Sequence, residues 1–414
     1  MPNQSKRYVA FDVHKSYVMV AAVNAAQAVV LPPRRVSFSR FEEWISKHLT
    51  STDEVVLEAT TNAWYVHDQL APVVAKVVVA HPYKVKLIAA AAVKTDKIDT
   101  LSLAKLLAAK LVPAVWVPPV VVRELRALLS HRRRLVGQQT AAKNRLHSVL
   151  HRHNIVPTGG SLFAQNQRAW WFSLELPPSE NLRVRQDLAT LDHLKPQLDE
   201  VQLELVRLST AQPWAEPVPY LLQLPGIGLI TAMTMLAAIG DISRFASAKK
   251  LVGYAGLGVR IHASGQTYRV GGITKEGRRD LRSVAVEAAW TAVRVDPYWR
   301  AQFERLQRRI GRNKAIVAIA RKLLVVVWHV LTAAQTDRKA DADKVAGKLM
   351  LYAWQLGQHR PDQLTPGQFI RYHLLKLGLG DDLAFIVRGG VKRLIPPPAE
   401  LLKLYPELGS TDDS

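Results

Sequence analysis

Lys94-Thr95-Asp96-Lys97-Ile98-Asp99-Thr100 sets two carboxylates three residues apart, directly ahead of the periodic apolar positions Leu101, Leu103, Leu106 and Leu107. Thr95 or Asp96 fits the cap of a helix starting here, and residues three apart on a helix share a face. Asp96 and Asp99 are therefore expected side by side in its first turn. Carboxylates that close raise each other's pKa unless a cation or a proton lies between them. A Mg²⁺ ion answers that need, since it takes oxygen ligands and keeps waters for a phosphate substrate. Lys94 and Lys97 suit a polyanion nearby. The same residues also describe plain acids at a helix N-terminus, where the macrodipole favours them. Only the rest of the chain separates the two readings.

Upstream, residues 8–13, 17–23 and 28–36 read as strands, 41–49 as a helix, 54–59 as a short buried strand, 64–74 as a helix and 76–80 as a strand. A helix over 83–93 then leads to the one beginning at Asp96. Three early strands followed by alternating helices and strands indicate an α/β layer with a mixed sheet. Asp12 lies within or at the end of the first strand, in Ala10-Phe11-Asp12-Val13-His14-Lys15. An acid in an apolar strand costs free energy unless it is paired or bound to a metal. Glu58, in Val55-Val56-Leu57-Glu58-Ala59, sits at the carboxyl end of another strand, where sites form in open α/β sheets. Two acids on strand ends and two on one helix face, in a basic chain, favour a metal site over four separate structural roles. His14 stands close enough to join. A lone histidine beside a strand end is commonly a bland polar residue, so the expected set does not include it.

The 414 residues hold 56 Lys and Arg against 34 Asp and Glu, a formal charge of +22, with a pI near 10.2. Such a charge is the footprint of a nucleic-acid binder, and no long basic amphipathic segment points to a membrane surface instead. Cysteine is absent, which excludes disulfides and thiolate zinc sites and suits the cytosol. Met-Pro-Asn-Gln-Ser-Lys-Arg runs straight into a strand with no apolar leader. The apolar runs at 106–122 and 323–334 are broken by Lys110, Pro113, Pro118 and Pro119, or are too short to span a bilayer. A soluble cytoplasmic protein without a membrane partner is expected.

Prolines at 113, 118 and 119 mark a first boundary, closing a domain over 1–114. From 120 to 153 the pattern is helical and includes His131-Arg132-Arg133-Arg134. Over 179–211, Leu188, Leu191, Leu194, Leu198, Val201, Leu205 and Leu208 approach a heptad seam. Residues 115–217 thus read as a helical coiled-coil or dimerisation arm, with Gly159-Gly160 and Trp170-Trp171 at its turn or tip. A mainly helical domain spans 218–335. Helical stretches at 341–356 and 368–377 place a helical extension over 336–414, loose at 409–414.

Within the third domain, Leu224-Pro225-Gly226-Ile227-Gly228 precedes an apolar helix, as in a helix-hairpin-helix motif whose backbone N–H groups accept a phosphate without reading bases. A tight interhelical turn would use Gly226 and Gly228 equally well. Farther on, Ile261-His262-Ala263-Ser264-Gly265-Gln266 and Gly271-Gly272-Ile273-Thr274-Lys275-Glu276-Gly277 are surrounded by Arg269, Lys275, Arg278, Arg279 and Arg282. A hydroxyl at a turn could meet a phosphodiester there, with guanidinium groups stabilising the developing charge. Spacing does not choose among Ser264, Thr267, Tyr268 and Thr274.

These motifs, in this order, resemble the DEDD transposases of the insertion-sequence one-ten family with its eleven-eleven branch, the bridge-RNA-guided DNA recombinases. The resemblance rests on Asp12 in Phe-Asp-Val-His-Lys, Glu58 in Leu-Glu-Ala-Thr, Asp96 and Asp99 in Lys-Thr-Asp-Lys-Ile-Asp, the Leu-Pro-Gly-Ile-Gly hairpin, and Ser264-Gly265 ahead of Gly-Ile-Thr-Lys-Glu-Gly. It covers about residues 7–330, and Thr100 stands where alanine is expected. The resemblance implies an N-terminal RuvC-like domain of RNase H fold whose Asp12, Glu58, Asp96 and Asp99 bind Mg²⁺. It further implies a helical arm for oligomer contacts, and a transposase domain whose Ser264 forms a covalent phosphoserine link to a cut strand. Such a link conserves the phosphodiester energy for resealing. Dimers pairing into tetramers, and a structured noncoding RNA that pairs with target and donor DNA, complete what the family implies. Delegating sequence choice to base pairing leaves the protein to hold backbones. Expected nucleic-acid contacts are Gly226, Gly228, Arg269, Lys275, Arg278, Arg279, Arg282, Arg132, Arg133 and Arg134.

Two other readings stay open. In a metal-dependent nuclease or junction resolvase, the four acids would activate water and Ser264 would be structural. In a non-enzymatic scaffold, the basic chain would bind nucleic acid and cut nothing.

Overall fold

The computed structural model describes residues 6–88, 95–157 and 159–408. Lys94, the end of the helix expected to reach 93, and the loose end expected at 409–414 lie outside the described residues. The chain divides into two compact units, 1–119 and 120–414.

The first unit runs β1 (Tyr8–Val13), β2 (Tyr17–Val23), β3 (Val29–Ser37), α1 (Phe41–His48), β4 (Glu54–Glu58), α2 (Ala63–Leu70), β5 (Lys76–Ala80), α3 (Pro82–Ile88) and α4 (Asp96–Ala108). Its sheet has the order β3-β2-β1-β4-β5, antiparallel among the first three strands and parallel from β1 through β4 to β5. This is the mixed α/β layer that the strand pattern indicates. The helix over 64–74 is shorter than expected. Pro72 has no N–H to donate and restricts Ala71, so α2 ends at Leu70.

Helices cover both faces of the sheet, which is why β1 and β4 read as nearly continuous apolar runs. Strand alternation sends Val9, Phe11, Val13, Val55 and Leu57 into a core with Phe41 and Trp44 of α1 and Val66 and Leu70 of α2. The fully buried Phe11 ring meets Phe41 and Trp44 edge-on, at centroid distances of 6.0 and 5.9 Å. Tyr8, Ala10 and Val56 face the other way, against Val85 of α3 and Leu103 and Leu107 of α4. By the same two-residue period, Asp12 and Glu58 belong to the face that α4 covers.

The second unit is mostly helical. It contains α5 (Val120–Arg152), α6 (Arg168–Phe172), α7 (Pro178–Leu208), α8 (Pro217–Leu222), α9 (Leu229–Ile239) and α10 (Ala248–Tyr254). A hairpin of β6 (Val259–Ser264) and β7 (Thr267–Ile273) follows, then α11 (Arg279–Val295), α12 (Pro297–Ile310) and α13 (Arg312–Ala333). The chain continues through α14 (Ala342–Leu356), α15 (Pro366–Lys376), β8 (Phe385–Arg388), β9 (Val391–Leu394) and α16 (Pro398–Leu404).

Helices α5 and α7 lie antiparallel. Leu146, Val149 and Leu150 pack with Val184, Leu188 and Leu191, and the ion pairs Arg145–Asp187 (2.6 Å) and Arg152–Glu180 (2.9 Å) run in opposite senses along the two. Trp171 of α6 is buried in that cluster and donates its indole N–H to the Leu162 carbonyl (2.9 Å). By length and composition α13 could cross a membrane. Its Ile316, Ile319, Leu323, Leu324 and Val327 are nevertheless fully or almost fully buried in the unit, as in a core helix.

The C-terminal helices have their own small core of Val345, Leu349, Ile370, Leu374 and Ile386. They are also tied to the rest of the unit. The Asp337 N–H donates to Gln223 Oε1 (2.9 Å), the Ser209 and Tyr352 hydroxyls meet at 2.9 Å, and half-buried Lys348 donates Nζ to the Leu224 carbonyl (2.6 Å). Burial pushes the Lys348 amine down to a pKa of about 7.

Candidate active site

Thr95 is extended and its hydroxyl accepts the Ile98 N–H (3.3 Å), so α4 begins at Asp96 with both acids in its first turn. That turn lies over the sheet face to which Asp12 and Glu58 belong. Asp12 follows Phe11 in β1 and Glu58 follows Leu57 in β4, one step beyond the last register pair of the two parallel strands. Asp12, Glu58, Asp96 and Asp99 consequently line one cavity of about 390 Å³, together with His14, Thr95 and Leu103. Thr100, the departure from the family pattern, is buried and donates its hydroxyl to the Asp96 carbonyl (2.5 Å).

His14 belongs to the cluster, although the sequence reading leaves it aside. Its Nε2 lies 3.2 Å from Asp12 Oδ2 and 3.3 Å from Asp96 Oδ2. Those are ion-pair distances, although among the described residues this buried nitrogen makes no well-aligned hydrogen bond. The imidazole stacks on Tyr17 (4.4 Å between centroids), the Tyr17 hydroxyl donates to Asp96 Oδ2 (3.2 Å), and the Arg35 guanidinium lies 3.8 Å over the tyrosine ring. Asn62 fixes the backbone of the turn by donating to the His14 carbonyl (3.0 Å). The only local signal was the spacing Asp-x-His at a strand end. The stacking that orients the ring depends on the β1–β2 register.

Burial raises the Asp12 pKa, and the nearby Asp96 and Asp99 charges push the same way while His14 opposes them. A cation would relieve that strain. Asp12, His14 and Asp96 each offer one ligand atom, all within 4.8 Å of one another. A set rich in carboxylate oxygens fits a divalent metal ion.

The other expected residues lie in the second unit. Ser264 ends β6 and pairs with Thr267 across a turn in which Gly265 has φ +55°. The register also pairs His262 with Arg269, so His262, Ser264, Thr267 and Arg269 share one side of the hairpin. Ile261, Ala263, Tyr268 and Val270 share the other. Every residue from 260 to 272 is exposed. Thr274 sits at the hairpin base, its N–H donating to the Gly258 carbonyl (2.8 Å).

The expected basic contacts divide by what their side chains already do. Arg282 donates to the Ala255 (3.0 Å) and Lys275 (3.2 Å) carbonyls and so anchors the hairpin base. Arg278 grips both oxygens of Asp280 (3.0 and 2.5 Å). Arg269, Lys275 and Arg279 are exposed. Arg132, Arg133 and Arg279 line one cavity of about 430 Å³ with Thr231, Thr234 and Ser283, at the first turns of α9 and α11, whereas Arg134 lines a separate groove between α5 and α7. Gly226, at φ +79°, lies so close to α11 that a Cβ would come within 2.1 Å of the Ala288 carbonyl oxygen. Packing alone thus demands glycine there. Gly228 is open and precedes α9 without a side-chain cap.

Comparison with known proteins matches residues 9–155 to a DEDD-type transposase family associated with IS110, and residues 218–304 to the IS116/IS110/IS902 transposase family. The transposase for insertion sequence element IS1111A of Coxiella burnetii is 27% identical over 256 residues, which cover 59% of this chain and 68% of that protein. The pilin gene-inverting protein of Moraxella bovis is 28% identical over 352 residues, 79% of this chain and 96% of that one. The y4qE protein of Sinorhizobium fredii is 28% identical over 269 residues, and the match spans 65% of its length, just under two thirds.

Proposed function

Since this chain belongs to the IS110 family of DEDD transposases, we propose that it cuts and rejoins DNA through a covalent serine–DNA link, guided by a structured noncoding RNA. The cavity that gathers Asp12, Glu58, Asp96 and Asp99 carries this reading. The strand order β3-β2-β1-β4-β5 with a helix delivering the last two acids supports an RNase H, RuvC-like fold for residues 1–114. Residues 115–217 would serve as the coiled-coil oligomerisation arm, 218–335 as the serine-bearing transposase domain and 336–414 as an accessory extension. The working form would be a dimer or a tetramer of two dimers, acting in the cytoplasm on nucleoid DNA.

Mg²⁺, held by the four acids, would supply Lewis acidity to the phosphate oxygens. Tyr17 orients Asp96 through its hydroxyl, and His14, stacked on Tyr17, stands beside Asp12 and Asp96. The Ser264 oxygen forms a bond to phosphorus as one strand oxygen leaves, and the serine proton passes to the departing oxygen. Resealing reverses the exchange, so no ATP is consumed. His262, on the same hairpin side, can receive and return that proton, while Arg269 faces the developing phosphate charge. Arg132, Arg133, Lys275, Arg279 and the uncapped start of α9 beyond Gly228 hold backbones rather than bases.

A nuclease that uses the acids alone is the competing reading, favoured by the wholly exposed setting of Ser264. The two separate cleanly. The protein is incubated with labelled element-junction DNA, Mg²⁺ and the RNA transcribed beside its gene, then denatured. A protein-linked band in wild type that vanishes in Ser264→Ala is expected. Free cut ends with no linked protein would replace serine exchange by hydrolysis.

A further inference from the structure

The acid cavity does not end at its carboxylates. Glu58, Asp99 and Leu103 also wall a second cavity of about 250 Å³, whose other sides are Pro82, Tyr83, Val85, Lys86 and Ser102. This wall exists because α3 starts at Pro82, just after β5 ends. Val85 is buried under the helix, while Tyr83 and Lys86, three apart, share a face. Tyr83 is 67% exposed. Among the described residues, Lys86 is the one lysine or arginine lining either cavity.

We propose that this second cavity is a nucleotide subsite: it seats the nucleotide next to the phosphodiester held at the acids, with Lys86 on its phosphate and Tyr83 on its base. The proposal rests on the acids being a phosphoryl-transfer site. A metal ion answers the charge of the phosphate it binds. The neighbouring phosphate still has Glu58 and Asp99 beside it, and repulsion would turn the strand away unless a cation stood across from them. Lys86 is that cation, a compact charge on a flexible stem suited to phosphate. An open aromatic ring beside a cation is how proteins hold single strands irrespective of sequence, because every base has a face to stack. Ser102 adds a hydroxyl to the same wall.

Binding to the full-length protein is tested with a fluorescent thymidine trinucleotide in Ca²⁺, a probe too short to span the other basic surfaces. Tyr83→Ala and Lys86→Ala are each expected to weaken it about tenfold, and Lys86→Arg to restore most of the loss. Both residues are exposed, so the fold should survive, and unchanged thermal midpoints check this. A trinucleotide lacking its central base should bind wild type and Tyr83→Ala alike, which a merely structural tyrosine would not produce. On junction DNA the loss should fall on KM rather than kcat. Wild-type affinity in both alanine variants would overturn the subsite even where the protein cuts normally. A protein that never cuts DNA, yet needs Tyr83 and Lys86 for the probe, would keep the subsite and sink the transposase reading instead.

Discussion

Asp12 and Glu58 stand on strands covered on both faces, and their partners enter on a helix whose start is fixed by the Thr95 cap. Ser264 stands on a two-stranded hairpin exposed from 260 to 272, anchored only at its base by Arg282, Gly256 and Gly277. The first arrangement is set before any ligand arrives, because moving an acid means disturbing a packed core. The second is marginal by itself. One side of it holds His262, Ser264, Thr267 and Arg269, and the other leaves Ile261, Tyr268 and Val270 more than half exposed. Metal binding needs several groups held together at fixed distances, whereas a nucleophile that must first meet a strand and then release it gains from a support that can shift. Under the proposed function, the contrast would divide the chemistry between a rigid centre and an adjustable one.

The largest effects should come from the two centres themselves, and of different kinds. Asp12→Asn and Asp99→Ala should reduce DNA cutting to background at any Mg²⁺ concentration without lowering the thermal midpoint. Ser264→Ala should abolish the covalent link and recombination while leaving metal affinity, read by calorimetry, unchanged. Loss of metal affinity in Ser264→Ala would end the division.

Next in size is the packing that sets the acids. Phe11→Ala should cost about 3–5 kcal/mol in denaturant unfolding, whereas Tyr268→Ser should stay within about 0.5 kcal/mol. Equal costs would mean that the hairpin is as firmly built as the sheet.

His262→Ala should slow formation of the covalent link about 100-fold and flatten its pH profile, with cutting-site choice unchanged. A full rate would remove the imidazole from the serine side.

The smallest effect concerns the second unit as a whole. Burial holds the Lys348 amine near pKa 7, below its ordinary 10.5. Between those values the unfolded chain binds the extra proton, so stability should rise with pH across that window. Lys348→Met should flatten the rise in thermal midpoint between pH 7 and 9. Parallel curves for the two proteins would show that the amine is not held neutral.

The sheet and the acid cavity were readable in the chain because each acid broke its local pattern: Asp12 and Glu58 interrupt apolar strands, and Asp96 and Asp99 follow a capping threonine. Strand alternation then carries Asp12 and Glu58 to one face, and the helical period puts Asp96 and Asp99 on one side of the helix that covers it. His14 was not readable, since its place depends on stacking with Tyr17 from the next strand. Nor was the division among the arginines. Arg282 and Arg278 look the same as Arg269 and Arg279 in sequence, and only the carbonyls of Ala255 and Lys275 and the carboxylate of Asp280 set them apart. Gly226 suits a phosphate-binding hairpin and a close helix crossing equally well, and it is the Ala288 backbone that makes the crossing visible. The short α2 could have been foreseen from Pro72.

The Lys348–Leu224 hydrogen bond bears on how such a gene can change. The residues after Gln335 look like a dispensable tail, yet they grip the carbonyl that opens the Leu224–Gly228 turn and bury Tyr352 against Ser209. Removing residues 336–414 would strip the cover from the turn. Shortening would have to be accompanied by repainting of the newly bared surface, two steps instead of one. Residues 336–404 are in that sense locked in by their neighbours, and a laboratory fusion belongs beyond α16 rather than in place of it.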